Sequence, residues 1–513
     1  MKLRSSLSAL RLGLLVLVVA MTAGLGAGMG RPSAATAVQD IGLPLFGVTL
    51  STAPSAAAPA HAQNVGAGFA VVHIDWTELE PTEPAPGAAL DAAATARLDV
   101  QFSELASRGV VPVAGVGGAP PWAAPHRNGP LLPDMKGAYV AFLGKVVDRY
   151  KNAPYNVRHW LLWSEADAIS TPPAEWSDRG AWADNPAYFA DVMRDSYAAV
   201  KQRDAGAVVV MGSLAHDWFF DPAPGTSAPA TGGTSPGFNQ GGIFRYRFLD
   251  DVLDAMLLNG GGVAFDALGL NTYITFAPGW ESDADRRGVP AVDVAAKISR
   301  VRARLAARGL DVPIFVGEAG FWSAGASAFV TNGRGTVLGS LAASPQTQAE
   351  YVAKLYARAR SAGAAAVTWF ALEEVSATEK HGLVGDGGTI KPAFQAFNWA
   401  ARALGTPARS MSPITLLTTV QGSVESYAFS GTGNCTGGPC YTIVAWATGS
   451  VTPTARVAAA PDLRAYDLTG APVSAVGTDR GRYLFDLTAS PIFFQRVNYS
   501  TLVPLLPRLR PVT

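Results

Sequence analysis

Two stretches decide the fold: His159-Trp160-Leu161-Leu162-Trp163-Ser164-Glu165-Ala166-Asp167 and Pro313-Ile314-Phe315-Val316-Gly317-Glu318-Ala319-Gly320-Phe321. Each is a short run of bulky apolar residues that breaks off at a glutamate. Near-continuous apolar runs suit strands buried on both faces, as in a parallel sheet covered by helices. Outward from these two, Pro44–Leu50, Ala70–Asp75, Val110–Val116, Val208–Gly212, Ala267–Asn271 and Ala365–Phe370 read the same way and bring the number to eight. Between them lie Ala/Arg/Leu-rich helical stretches: Ala92–Arg108, Met135–Lys151, Tyr188–Arg203, Val292–Arg308 and Gln346–Ala362. This alternation predicts an α/β fold, a (β/α)8 TIM barrel over residues 41–405. A barrel of that span exceeds the roughly 250 residues typical of the fold, so its loops are expected to be expanded. Asp221–Gly242, rich in Gly, Pro, Ser and Thr and without period, is the clearest expansion.

After Gly405 the pattern changes. Ile414–Val420, Ser423–Phe429, Tyr441–Ala447, Leu463–Asp467, Tyr483–Leu487 and Pro491–Val497 are short β-branched or aromatic runs separated by turn residues. They predict a small antiparallel, β-sandwich-like domain over residues 410–500. At the other end, Lys2, Arg4 and Arg11 precede the apolar run Leu12–Ala20, and Ala35-Thr36-Ala37 supplies small residues for cleavage. Residues 1–37 therefore read as a secretory signal, with an uncleaved N-terminal anchor as the alternative. Export places the chain outside the cell or at its surface. There Cys435 and Cys440, separated by Thr-Gly-Gly-Pro, are expected to close a small structural disulfide.

Composition excludes several classes of function. Hydrophobic residues make up 49% and charged residues 16%, which fits a folded chain with a large core and not a disordered one. Lys plus Arg (40) equals Asp plus Glu (40), so the basic excess of a phosphate-neutralising nucleic-acid binder is missing. With six His and two Cys, and no metal-ligand spacing, no metal centre is expected. Gly115-Val116-Gly117-Gly118 follows a strand but lacks the spacing of a dinucleotide site, so no cofactor is expected either. The 54 Gly, 36 Pro and 12 Trp fit a loop-rich globular protein, and Trp-rich loops are common where rings of sugar are stacked.

In a barrel, reactive groups stand at the C-terminal ends of the strands. Glu165 and Glu318 end the fourth and seventh runs, whose strands lie across the barrel mouth from each other. Cleaving a glycosidic bond with retention needs two such carboxyl groups, roughly 5–5.5 Å apart. One protonates the leaving oxygen while the other attacks the anomeric carbon. A glutamate after a strand can equally be a first-turn charge favourable to the next helix dipole, but a pair at strands four and seven favours chemistry.

Several motifs then line up in order. Phe69–Pro81, with Ile74-Asp75-Trp76, fits a second-strand segment, and Gly109–Trp122, ending in Pro120-Pro121-Trp122, a third. Trp163–Asp167 stands where an acid/base motif belongs, Asn271-Thr272-Tyr273 at the sixth strand, and Gly317-Glu318-Ala319-Gly320 at the seventh. On these residues the chain resembles the glycoside hydrolases of clan A, especially families 39 and 5, over about residues 41–405. The resemblance implies an exported O-glycosyl hydrolase acting on an oligo- or polysaccharide, with Glu165 as general acid/base and Glu318 as nucleophile. It also implies that the Tyr273 hydroxyl binds the nucleophile and that Trp369 forms a sugar platform. His73, Asp75, Trp122 and Ser164 complete the expected substrate-binding set.

Two positions depart from the family pattern. Ser164 replaces the asparagine that binds the sugar 2-hydroxyl, and His73 stands where an arginine is usual. Losing an oriented donor weakens transition-state binding. A carbohydrate-binding protein of the same fold with weakened catalysis is therefore the second reading, and a cell-surface scaffold a distant third. Trp122, Trp218, Trp280, Trp322 and Trp369 lie in or beside strand-end loops, and two or three of them are expected to line a cleft. His216 is expected near the mouth, and Glu373 and Glu374, after the eighth strand, in solvent.

Overall fold

The structure is a computed structural model that describes residues 40–168, 182–215, 234–236, 243–245, 247–273, 294–323, 328–331, 337–341, 344–375, 380–405, 424–432, 440–447, 452, 454–459 and 461–496. Eight strands close into a barrel: β1 (Phe46–Thr49), β2 (Phe69–Asp75), β3 (Val111–Gly117), β4 (His159–Leu162), β5 (Val208–Leu214), β6 (Ala267–Thr272), β7 (Ile314–Ala319) and β8 (Ala366–Trp369). Every neighbouring pair is parallel, and β1 pairs β8 to complete the ring. Each strand is one of the eight apolar runs. A helix follows each: α1 (Ala58–Val65), α2 (Ala92–Ser107), α3 (Lys136–Tyr150), α4 (Pro186–Arg203), α5 (Phe248–Leu257), α6 (Val294–Ala306), α7 (Pro345–Ser361) and α8 (Pro392–Leu404).

Strand alternation sorts the core into two layers. Phe69, Val71, Val113, Leu161, Val210 and Phe315 point inward and fill the barrel. Val72, Val116, Trp160, Leu162, Met211 and Val316 point outward and pack beneath the helices. A barrel of eight strands is just wide enough for side chains to fill, so its interior is a core and any site must lie at the mouth. Helix starts are fixed locally. Asp91, Asn185 and Ser344 accept backbone N–H bonds at the first turns of α2, α4 and α7, and proline opens α4, α7 and α8.

The C-terminal β-domain holds β9 (Val424–Thr432), β10 (Cys440–Ala447), β11 (Thr454–Ala458), β12 (Arg464–Tyr466), β13 (Gly477–Asp479), β14 (Arg482–Asp486) and β15 (Ile492–Arg496). They form two antiparallel sheets, β9-β10-β15-β12 and β11-β14-β13. β11 and β13 add to the strands expected from sequence. Residues Ala37–Thr513 form one compact unit. The β-domain docks on α7, where Arg358, 1% exposed, grips Glu425 through Nε (2.6 Å) and a second guanidinium nitrogen. Lys354 and Arg358 also lie 5.8 and 5.5 Å from the Trp446 ring. Residues 1–37, expected to be a secretory signal, the strand expected at Ile414–Val420 and Cys435 lie outside the described residues.

Candidate active site

Glu165 and Glu318 both reach the mouth through breaks in the regular pleat. On β7, Phe315 faces inward, so plain alternation would turn Gly317 and Ala319 inward and Glu318 out. The β6–β7 register shifts between Leu270, opposite Val316, and Asn271, opposite Glu318, and β7 is likewise out of step with β8. The extra residue is a β-bulge, which re-aims Glu318 into the mouth. Gly317 makes it feasible: a Cβ there would lie 1.9 Å from Ser213 Oγ. Beyond β4, Trp163 and Glu165 adopt left-handed φ of 60° and 56°, unusual for residues with a side chain. Two contacts hold this turn. The Glu165 N–H donates to the Ser213 carbonyl at 2.6 Å, and the buried Asp167 carboxylate accepts from the Ala215 N–H at 2.9 Å.

The two carboxylates share one hydrogen-bonded array. Asn271 Nδ2 donates to Glu165 Oε1 at 3.1 Å and to Ser164 Oγ at 3.4 Å. Ser164 Oγ donates to Glu318 Oε1 at 3.4 Å, and the Tyr273 hydroxyl donates to Glu318 Oε2 at 2.6 Å. Glu165, Ser164, Glu318 and Tyr273 are half-buried, whereas Asn271 is 1% exposed. The array therefore lines a surface open to a ligand while resting on buried groups.

On the other side of the mouth stands His73, on the inward face of β2 above Val71. Burial, and secondarily the Arg127 charge, hold its imidazole below the ordinary value, so it is neutral at pH 7. Asp75 serves structure first. It accepts from the Thr77 N–H at 2.9 Å, capping a one-turn helix, and pairs with Arg127. Trp122 packs edge-on to Trp76 and donates from Nε1 to the Glu80 carbonyl at 3.0 Å, which fixes it in the loop core with its ring half-buried.

Trp369 requires a correction. Its ring is fully buried, edge-on to Tyr351 of α7, and its Nε1 donates to the His381 carbonyl at 3.2 Å. A ring with no accessible face is not a sugar platform. The aromatic surface at this side comes instead from Phe370, half-buried, which meets Tyr273 edge-on at 6.0 Å. Buried His381 backs both rings at 5.9 Å, itself 4.6 Å from Trp322. Glu373 and Glu374 are not solvated as expected. Glu373 binds Ser55 and His61, and Glu374 pairs with Lys391. His216, Trp218 and Trp280 lie outside the described residues.

Sequence reasoning gave no role to Asn271, Arg127 or Phe370. Asn271 and Phe370 stand at or just past strand ends, where the same rule that found the glutamates would have found them. Arg127 carried no comparable signal, because it reaches the mouth from a loop. Among the described residues, no group of three or more His, Cys, Asp or Glu could hold a metal ion.

No protein-family model matches the chain, and no curated protein is similar to it. Solved structures share its fold. A family 39 glycoside hydrolase from Bacteroides cellulosilyticus WH2 superposes with a TM-score of 0.59 at 20% identity, covering 88% of this chain and 81% of that one. A GH30 endoxylanase from Clostridium papyrosolvens C71 gives 0.56 at 13% identity, covering 90% and 97%. A conserved exported protein from Bacteroides fragilis gives 0.58 at 12% identity, covering 90% and 98%. The chain thus shares the fold of these solved structures.

Proposed function

We propose that this protein is an exported glycoside hydrolase that cleaves O-glycosidic bonds of an oligo- or polysaccharide with retention of configuration. The observation that carries the reading is the array Glu165–Asn271–Ser164–Glu318–Tyr273, which joins two carboxylates across the mouth. In the first step the Glu165 carboxyl gives its proton to the glycosidic oxygen as the bond to the anomeric carbon breaks, and Glu318 bonds that carbon. In the second, Glu165 takes a proton from water, whose oxygen attacks the same carbon and releases Glu318. The Tyr273 hydroxyl, 2.6 Å from Glu318 Oε2, orients the nucleophile and leaves Oε1 facing Ser164. Two carboxylates joined across the mouth, one of them held by a tyrosine hydroxyl, are what retention requires, which favours the hydrolase over the binding-only alternative.

Ser164, half-buried beside Glu318, and neutral His73 are the groups that would meet the sugar hydroxyls, with Phe370 beneath its apolar face. Export rests on the N-terminal pattern and on the similarity to an exported protein. No helix among the described residues is long and apolar enough to cross a membrane. The test is turnover of a panel of aryl glycosides and polysaccharides, with the anomer of the first product read by NMR. Glu318→Ala should lose about a thousand-fold or more in kcat. Inversion at the anomeric carbon, or full activity of Glu318→Ala, refutes the assignment.

A further inference from the structure

Asn271 is the member of the array that the two-carboxylate chemistry leaves without a task. It is 1% exposed at the end of β6, and its Nδ2 lies 3.1 Å from Glu165 Oε1 and 3.4 Å from Ser164 Oγ. We propose that Asn271 is the positioning residue of the acid/base glutamate: its amide N–H holds Glu165 Oε1, so the proton exchanged with the glycosidic oxygen is carried on Oε2. This inference rests on the glycosidase reading and deepens it.

The chemistry of the amide makes the assignment. Its nitrogen offers two donors and no lone pair for a proton, so the carboxyl oxygen facing it must be an acceptor. In the neutral carboxyl group the O–H therefore sits on the other oxygen. An amide does not titrate, so this orientation persists while Glu165 alternates between acid and base. The surroundings keep the amide in place. Lys297 of α6, fully buried, donates from Nζ to the Asn271 carbonyl and also to the Leu214 and Ala215 carbonyls at 3.2 and 3.3 Å. This clamps the ends of β5 and β6 behind the site. On the amide's other side, Oδ1 is buried with no hydrogen-bond partner. An unpaired buried acceptor is unfavourable and concentrates where function requires it.

The test compares the wild type with Asn271→Ala and Asn271→Asp, in the full chain, using aryl glycosides with good and poor leaving groups over a range of pH. Asn271→Ala should lower kcat about ten-fold or more on the poor leaving group, which needs the proton, and less than about three-fold on the good one. The alkaline limb of its kcat/KM profile should move to higher pH by about half a unit or more, because a donor to the ionised form is gone. The isosteric Asn271→Asp replaces the donor with a like charge and should move the limb further in the same direction; it also carries the test if the alanine variant does not fold. Equal losses on both leaving groups with an unmoved limb would overturn the proposal while leaving the hydrolase reading intact. A wild type that hydrolyses no glycoside overturns both.

Discussion

Replacing Gly317 by alanine tests whether the bulge on β7 is what aims Glu318. The added methyl would stand 1.9 Å from Ser213 Oγ, 3.1 Å from Ser213 Cβ and 3.2 Å from Asn271 Oδ1. Contacts that short cannot persist, so β7 must back away from β5 or the bulge must open. Overpacking of this kind destabilises by about 1–3 kcal/mol. If Glu318 is the nucleophile proposed above, a displacement of about 1 Å at its carboxylate should lower the rate by about a hundred-fold, even when the carboxylate itself is intact. The cause can be isolated, because the nearest clashing atom is a hydroxyl that no partner needs: Ser213 is fully buried and its Oγ is unpaired. Ser213→Ala alone should therefore not destabilise the protein and should stabilise it by up to about 1 kcal/mol, since it removes a buried hydroxyl that has no hydrogen bond to lose. Combined with Gly317→Ala it should recover about half of the stability loss beyond its own single effect, a coupling of about 0.5–1.5 kcal/mol in a double-mutant cycle. The remaining 3.1 Å contact with Cβ limits the rescue. Denaturant unfolding and kcat/KM on one aryl glycoside, measured for all four proteins, decide the matter. Additive effects, or a Gly317→Ala protein with wild-type rate and stability, would refute the bulge argument.

Trp369→Phe should destabilise the fold by about 2 kcal/mol through the cavity it leaves while KM stays unchanged, whereas Phe370→Ala should raise KM about ten-fold with little effect on unfolding. Thermal unfolding and steady-state kinetics separate the two, and the opposite pattern would restore Trp369 as the platform. Glu425→Ala removes the carboxylate that the buried Arg358 guanidinium grips between barrel and β-domain and should lower stability by about 3 kcal/mol in denaturant unfolding, where no change would show that the pair is expendable. His381 is held down to about 3, by burial and then by the Lys391 charge, against an ordinary 6.5. The unfolded chain thus binds a proton that the folded one refuses, and stability falls as pH drops from about 6.5 towards 3, by up to about 1.4 kcal/mol per pH unit from this group. In His381→Phe, unfolding free energies measured across that window should show a shallower slope, and an unchanged slope refutes the assignment.

How much of this was legible in the sequence depends on where the chain keeps its regular pleat. The eight barrel strands could be read because burial on both faces makes each a dense apolar run, and Leu161, Val210 and Phe315 occupy the inward positions that a period of two requires. The strand-end rule located both glutamates. It could not say which way either one points, because the left-handed Trp163 and Glu165 and the bulge at Gly317 all interrupt the period there. Trp369 failed for the opposite reason. It stays on the regular pleat, and with Val367 it belongs to the outward layer packed beneath the helices, so alternation alone would have turned it away from the mouth. Matching residue type to a family motif overrode register at a strand where register was the better guide. Phe370 follows as the next residue on the pleat, and the face it presents depends on that same alternation. A side chain's role at a barrel mouth is therefore set by the parity of its strand position, corrected for each bulge, before its chemical identity matters. Asn271 makes the case most sharply: its identity is shared by many loop residues, and what gives it a task is that the shifted register sets it opposite Glu318 and within reach of Glu165.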